Sequence, residues 1–221
     1  MKINHSTPNF KARNLDIRNA DRICRMVNSE FPTVSPTMVI AKAEQRLDKN
    51  LYLFGHKLNR RLQDNIRNQT YKLPNTFGLP FCKFLTSAIK KYKVANCGDK
   101  ARLANLLAVI NGYETKIASL MMVDEKGFPQ KIDHAFIIIN DKSERSLFRY
   151  FTELKGAIII DPWLGIADYA NNVQTIFRNK YADILGITSN SKLVANYNVG
   201  IKEHEAEELK EAFPEFIFNK K

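Results

Sequence analysis

Two short apolar runs in the second half of the chain, "HAFIIIN" at 134–140 and "AIIID" at 157–161, restrict its fold more than any other feature. Runs of branched aliphatics this short cannot span a bilayer. They suit strands buried on both faces of a sheet, and the second reads as central in its sheet. Each is bounded by a titratable residue: His134 opens the first and Asp161 closes the second. A carboxylate closing three isoleucines needs a partner, because burying it alone is costly. Pro162 holds Asp161 extended and so fixes where its side chain points. If the two strands are antiparallel neighbours, the start of one lies beside the end of the other, and the carboxylate can orient the imidazole. A crossover connection would make them parallel and put His134 and Asp161 at opposite ends.

Upstream stands "VANCGDKARLANLL". Asn96 is a good N-cap and Asp99 follows three residues later, a capping-box-like start that puts Cys97 in the first turn of a helix. Free backbone N–H groups and the helix dipole there favour an anion, so a thiolate at Cys97 is stabilised and the same N–H groups can hold an oxyanion. Gly98, lacking a side chain, lets a substrate backbone come close. Many helices begin with a harmless cysteine, so the motif gains meaning only from what converges on it. The other cysteines, Cys24 and Cys82, lie in helical segments near apolar stripes and read as structural, with Cys82 alternatively a weakly exposed thiol. His5 falls in a tail, His56 in a basic helical region and His204 in an acidic C-terminal segment.

The order of elements predicts an α+β chain. Residues 1–93 read as helical: Ile17, Ile23, Cys24 and Val27 share a face, Ser35-Pro36 opens a helix, its successor runs through "YLFGHKLNRRLQDNI", and Phe81, Phe84, Leu85 and Ile89 make a later stripe. Residues 94–200 read as a core. A helix runs from about Cys97 to Asn111, followed by strands at "KIASLMMVD", "HAFIIIN" and "AIIID". Leu147, Phe148, Phe151 and Leu154 have helical spacing, and "IADYANNVQTIFRNKYADIL" also reads as helix. Residues 201–221 read as an exposed acidic helix. The first residues carry no apolar signal segment, and three cysteines form too sparse a set for a disulfide framework, which fits a reducing compartment. The cysteines lack paired metal-ligand spacing, so neither metal nor cofactor is expected.

Net charge is +11, and between His56 and Lys93 nine Lys or Arg face one acid, Asp64. Such a stripe over 56–93 calls for nucleic acid, an anionic membrane or an acidic protein partner. No nucleic-acid recognition motif accompanies it, so solvated helix faces are the ordinary explanation. Tyr71, Phe77, Phe81, Phe84 and Tyr92 interleave with the charges at near-helical spacing and read as core.

"NCGD" at a helix start, then "DHAFIIIN", then "IIIDPW", in the order Cys, His, Asp, resembles the papain-like and transglutaminase-like superfamily of thiol enzymes. Within it the chain is most similar to the cysteine proteases, deamidases and transglutaminases that bacteria inject into host cells. The resemblance covers about residues 94–165, and the short Cys-to-His interval looks more like transglutaminases than papain. It implies a helix bearing the cysteine packed on a small antiparallel sheet, with Cys97 as nucleophile, His134 as general base and Asp161 as orienting acid. Asn96, Gly98 and Trp163, the last where the family often has an aromatic residue, would meet the substrate. It further implies a protein substrate, a host protein among the options, no cofactor, and work in a reducing cytoplasm or after secretion without a cleaved signal. Two departures stand out: no glutamine precedes Cys97 in the stretch that Lys91 and Tyr92 occupy, and "SERSLFRYFTELKG" lengthens the His-to-Asp interval. Proteolysis, glutamine deamidation and transamidation stay open. So do a basic binding module with an incidental thiol and an inactive member of the same fold.

Overall fold

The computed structural model describes residues 10–70, 72–73, 78–141, 148–198 and 205–218. His5, Tyr71, Phe77, Leu147 and His204 lie outside the described residues. The chain opens with helices α1 (Phe10–Glu30), α2 (Pro36–Arg46) and α3 (Lys49–Leu62). A π-helical segment, Gln63–Arg67, leads from α3 into the short α4 (Asn68–Thr70), and α5 (Leu79–Tyr92) and α6 (Cys97–Ile110) follow. Strands β1 (Thr115–Val123), β2 (Pro129–Ile139), β3 (Phe148–Tyr150), β4 (Ile158–Asp161) and β5 (Ile166–Tyr169) come next. Helices α7 (Ala170–Lys180) and α8 (Ala182–Leu185), strand β6 (Lys192–Asn198) and helix α9 (Ala206–Ala212) complete it. The architecture is α+β, with one six-stranded sheet in the order β3-β6-β1-β2-β4-β5 and every pairing antiparallel.

The apolar runs bury both faces of this sheet. Ile137, Ile139, Ile158 and Ile160 face a core shared by α1, α5, α6 and α9, while Phe136, Ile138 and Ile159 face α7 on the other side. Burying an isoleucine fully contributes about 1.5–3 kcal/mol relative to leaving it in water, so these side chains alone hold β2 and β4 firmly in the middle layer. Ile23 and Val27 of α1, Phe31 just beyond it, Leu62 of α3 and Leu85 and Ile89 of α5 belong to the same core as Leu103 and Leu107 of α6. Of the helices in the first 93 residues, α1 and α5 pack directly against the Cys97 helix. No helix among the described residues is long and apolar enough to cross a membrane.

Four local expectations change. The stretch expected as helix around Phe148 is strand β3 followed by a 3-10 turn, Phe151–Glu153, because Phe148 and Tyr150 pair with Asn196 and Val194. The start of the expected helix at "IADY" is instead β5, an edge strand paired with β4 and covered by α1. Strand β6, which carried no signal in the sequence, sits between β3 and β1. The acidic C-terminal helix exposes Glu207 and Glu208, yet Leu209, Phe213 and Phe216 anchor it in the core. In the basic stripe, Lys57, Arg60, Arg61, Lys83, Lys90, Lys91 and Lys93 are exposed, while Phe81 is buried and Phe84 and Tyr92 pack against the core.

Candidate active site

The loop "VAN" delivers Cys97 to its position through hydrogen bonds that fix both flanks. Val34 N–H donates to the Lys93 carbonyl and Ala95 N–H to that of Val34, at 3.0 and 3.3 Å, so the entry to α6 lies alongside the entry to α2. The Asp99 carboxylate accepts from Asn96 N–H at 3.0 Å, the acidic half of a capping box. Asn96 is buried, and its side-chain oxygen accepts from the hydroxyls of Ser35 and Thr37, both at 3.2 Å. These bonds make Asn96 a hinge pin between the two helix starts. Cys97 is half-buried, and its thiol points at the Asp133 carbonyl, 3.8 Å away. A Cβ at Gly98 would meet only the end of the Arg102 side chain, so that side of the thiol is open.

Strands β2 and β4 pair antiparallel through Ile137–Ile160, Ile138–Ile159 and Ile139–Ile158. Continuing that register puts Asp161 opposite Phe136 and on the same face as His134, two residues earlier. Nε2 of His134 lies 2.6 Å from Oδ2 of Asp161, with both side chains fully shielded from solvent. The carboxylate is oriented in turn: Oδ1 accepts from Leu164 N–H at 3.2 Å, within the turn that Pro162 opens. From α1, the Cys24 thiol lies 3.9 Å from the Asp161 carbonyl and the Asn28 amide donates to that of Pro162 at 3.0 Å. Lys100 Nζ completes the brace by donating to Asn28 Oδ1 at 2.5 Å.

The imidazole is walled by Trp163, Phe177 and Phe136, with ring centroids 5.2, 5.8 and 6.1 Å away. Burial there pushes the His134 pKa down. The charge and hydrogen bond of Asp161, helped by Cys97, outweigh burial and raise it to about 10. Asp161 therefore favours the protonated form of the ring. With Nε2 taken by Asp161, Nδ1 is the ring nitrogen left for Cys97; it is buried and holds no well-aligned hydrogen bond among the described residues. The Cys97 thiol is close enough to act on the ring while its own contact is with the Asp133 carbonyl. Trp163 Nε1 donates to Ser35 Oγ at 2.8 Å, which links the indole to Asn96 and the start of α6.

All three residues of the expected triad thus meet at one end of the sheet, with Asn96, Gly98 and Trp163 around them. Ser35, Asn28 and Lys100 are the supports that sequence reasoning missed. Ser35 was legible only as a helix cap, and nothing in the sequence ties Asn28 or Lys100 to the turn after Asp161. No family model matches the chain, and neither a curated protein nor a solved structure matches it significantly.

The His134–Asp161 pair has a consequence for stability. The folded pKa of about 10 stands above the ordinary 6.5, so the pair's contribution is complete below pH 6.5 and is lost as pH rises towards 10. The melting temperature is expected to fall between pH 6.5 and 9. In Asp161→Asn, where burial acts on the imidazole without an opposing charge, this dependence is expected to flatten. Thermal melts of both proteins across that window check it, and parallel slopes would remove the ion pair from the account.

Proposed function

We propose that this chain is a thiol enzyme of the papain-like and transglutaminase-like kind, which transfers an acyl group from an amide of a protein substrate through a thioester. The observation that carries the reading is the buried His134 ring, engaged through Nε2 by Asp161 at 2.6 Å and with Nδ1 left over, beside a half-exposed thiol at a helix N-terminus. The Cys97 helix lying against an antiparallel sheet that carries His134 and Asp161 agrees with the core which the sequence resemblance implies.

In this reading the Cys97 thiolate attacks the amide carbonyl and its carbon–sulfur bond forms. The Cys97 backbone N–H faces the resulting oxyanion from the first turn of α6, where N–H groups lack helical partners. His134 then gives its Nδ1 proton to the departing amine as the carbon–nitrogen bond breaks, leaving a neutral imidazole and a thioester. That imidazole takes a proton from the incoming nucleophile. Water at a peptide thioester completes proteolysis and water at a glutamine side chain completes deamidation, whereas an amine forms a new amide. Asp161 keeps Nε2 engaged throughout, so the ring presents Nδ1 at each step. The free thiols of Cys24, Cys82 and Cys97 suit a reducing compartment, where such an enzyme keeps its nucleophile.

The test is a proteome digest read by mass spectrometry in the presence of a tagged primary amine. New peptide N-termini, glutamine-to-glutamate conversions or amine adducts, absent with a heat-inactivated sample, would each support the reading and choose its branch. None of the three, with the chain folded and Cys97 reduced, would favour an inactive member of the fold.

A further inference from the structure

A cleft of about 610 Å³ runs between α2, Lys100 of α6 and Trp163 in the turn after Asp161. Trp163 forms one wall, the same indole that lies 5.2 Å from the His134 ring, and Lys100 enters one helical turn beyond Cys97. The cleft and the site thus share the Trp163 indole. Its lining is sharply biased in charge: Lys42, Arg46 and Lys100 contribute cations, and among the described residues no carboxylate lines it. Lys42 and Arg46 are exposed and have no ion-pair partner among the described residues. Met38, Ile184 and the indole supply apolar surface between these charges.

We infer that this cleft receives an acidic segment of the substrate protein, with carboxylate side chains on Lys42 and Arg46 and an apolar side chain against Trp163. The inference rests on the acyl-transfer reading for its protein substrate and adds a substrate class to it. The charge bias alone would suit any polyanion. What favours a peptide is the aliphatic part of the lining, Met38, Val39 and Ile184, which aliphatic side chains neighbouring the carboxylates can cover. Lys100 adds to the case: burial pushes its pKa down, so its ammonium is poorly solvated and gains from a carboxylate brought into the cleft. The wider basic stripe on α3 and α5 contributes none of the lining residues, so the cleft is a separate feature from it.

Trp163 is the only tryptophan, which makes its fluorescence a local gauge of occupancy that needs no turnover. The probes are a blocked glutamate-rich peptide containing leucine and glutamine, its lysine-for-glutamate counterpart, and a single-stranded oligonucleotide. The acidic peptide is expected to change the emission saturably and to bind at least about tenfold more weakly to K42E/R46E and at raised salt. The milder K42Q/R46Q variant, which leaves the helix surface polar, is expected to fall between. Equal response to the lysine peptide, or an affinity indifferent to both variants, would overturn the inference. Displacement by the oligonucleotide at equal concentration would overturn the peptide assignment. Alkylation of Cys97, measured on the same chain, separates the two claims. Saturable binding with an unreactive Cys97 keeps the cleft and sinks the thiol enzyme, whereas a reactive Cys97 with no binding does the reverse.

Discussion

Cys97→Ala is expected to remove turnover of the substrate that the proteome digest identifies, by about 10⁶-fold, the loss typical when a covalent catalyst is deprived of its nucleophile. The size follows from the division of labour in the site. His134 and Asp161 move and hold a proton, and neither can form the bond to carbon. Once sulfur is gone, a water would have to attack an unactivated amide directly. The fold is expected to survive, since Cys97 is half-exposed and its contact with the Asp133 carbonyl, at 3.8 Å, is long. Substitutions of that kind change stability by less than about 1 kcal/mol. The melting temperature should therefore stay close to that of the unsubstituted chain while activity disappears. Cys97→Ser sharpens the test, because it keeps the volume and replaces the thiol by a poorer nucleophile. Turnover in the alanine variant within a factor of about ten of the original would assign the chemistry elsewhere.

The features legible in the sequence are those whose physics is local. Asn96 and Asp99 announce the start of α6 because capping is settled within three residues. Ser35-Pro36 announces α2 for the same reason, and the isoleucine runs announce β2 and β4 because burial on both faces leaves no polar alternation to read. The pairing of His134 with Asp161 was legible only conditionally. Their proximity depends on the direction of the connection between the strands, and in the structure it returns antiparallel. What stayed hidden depends on contacts between distant segments. Strand β6 carries mixed side chains and becomes a strand by pairing with β1 far upstream in the chain. The spacing of Leu147, Phe148, Phe151 and Leu154 fits a helix, yet exposed Phe148 and buried Phe151 belong to a strand and a tight turn. Asn28 and Lys100 look like ordinary polar positions on helices until the turn after Asp161 is set between them.

Iodoacetamide at about pH 6 is expected to modify Cys97 and spare Cys24 and Cys82 by a factor of about 10³ or more. Burial pushes both of the other thiols up to about 12, with the Asp161 charge adding to the effect at Cys24 and the Glu205 charge at Cys82. At pH 6 each is then thiolate in about one molecule in 10⁶, and each is also closed to reagent, at 3% and 4% exposure. Cys97 differs in place and access: it is half-exposed and lies in the first turn of a helix, beside His134. His134→Gln should slow its labelling by roughly 10²-fold. Glutamine is chosen because its amide can still reach Asp161, whereas alanine would leave a buried carboxylate unpartnered. The two buried cysteines serve as an internal control for this variant. A loosened fold would expose Cys24, which sits against the Asp161 turn, and raise its labelling. Slow labelling at Cys97 with Cys24 and Cys82 still protected would therefore report lost activation in an intact fold. Equal labelling of all three thiols in the unsubstituted chain, or a Cys97 rate indifferent to His134→Gln, would leave the proposed chemistry without its nucleophile.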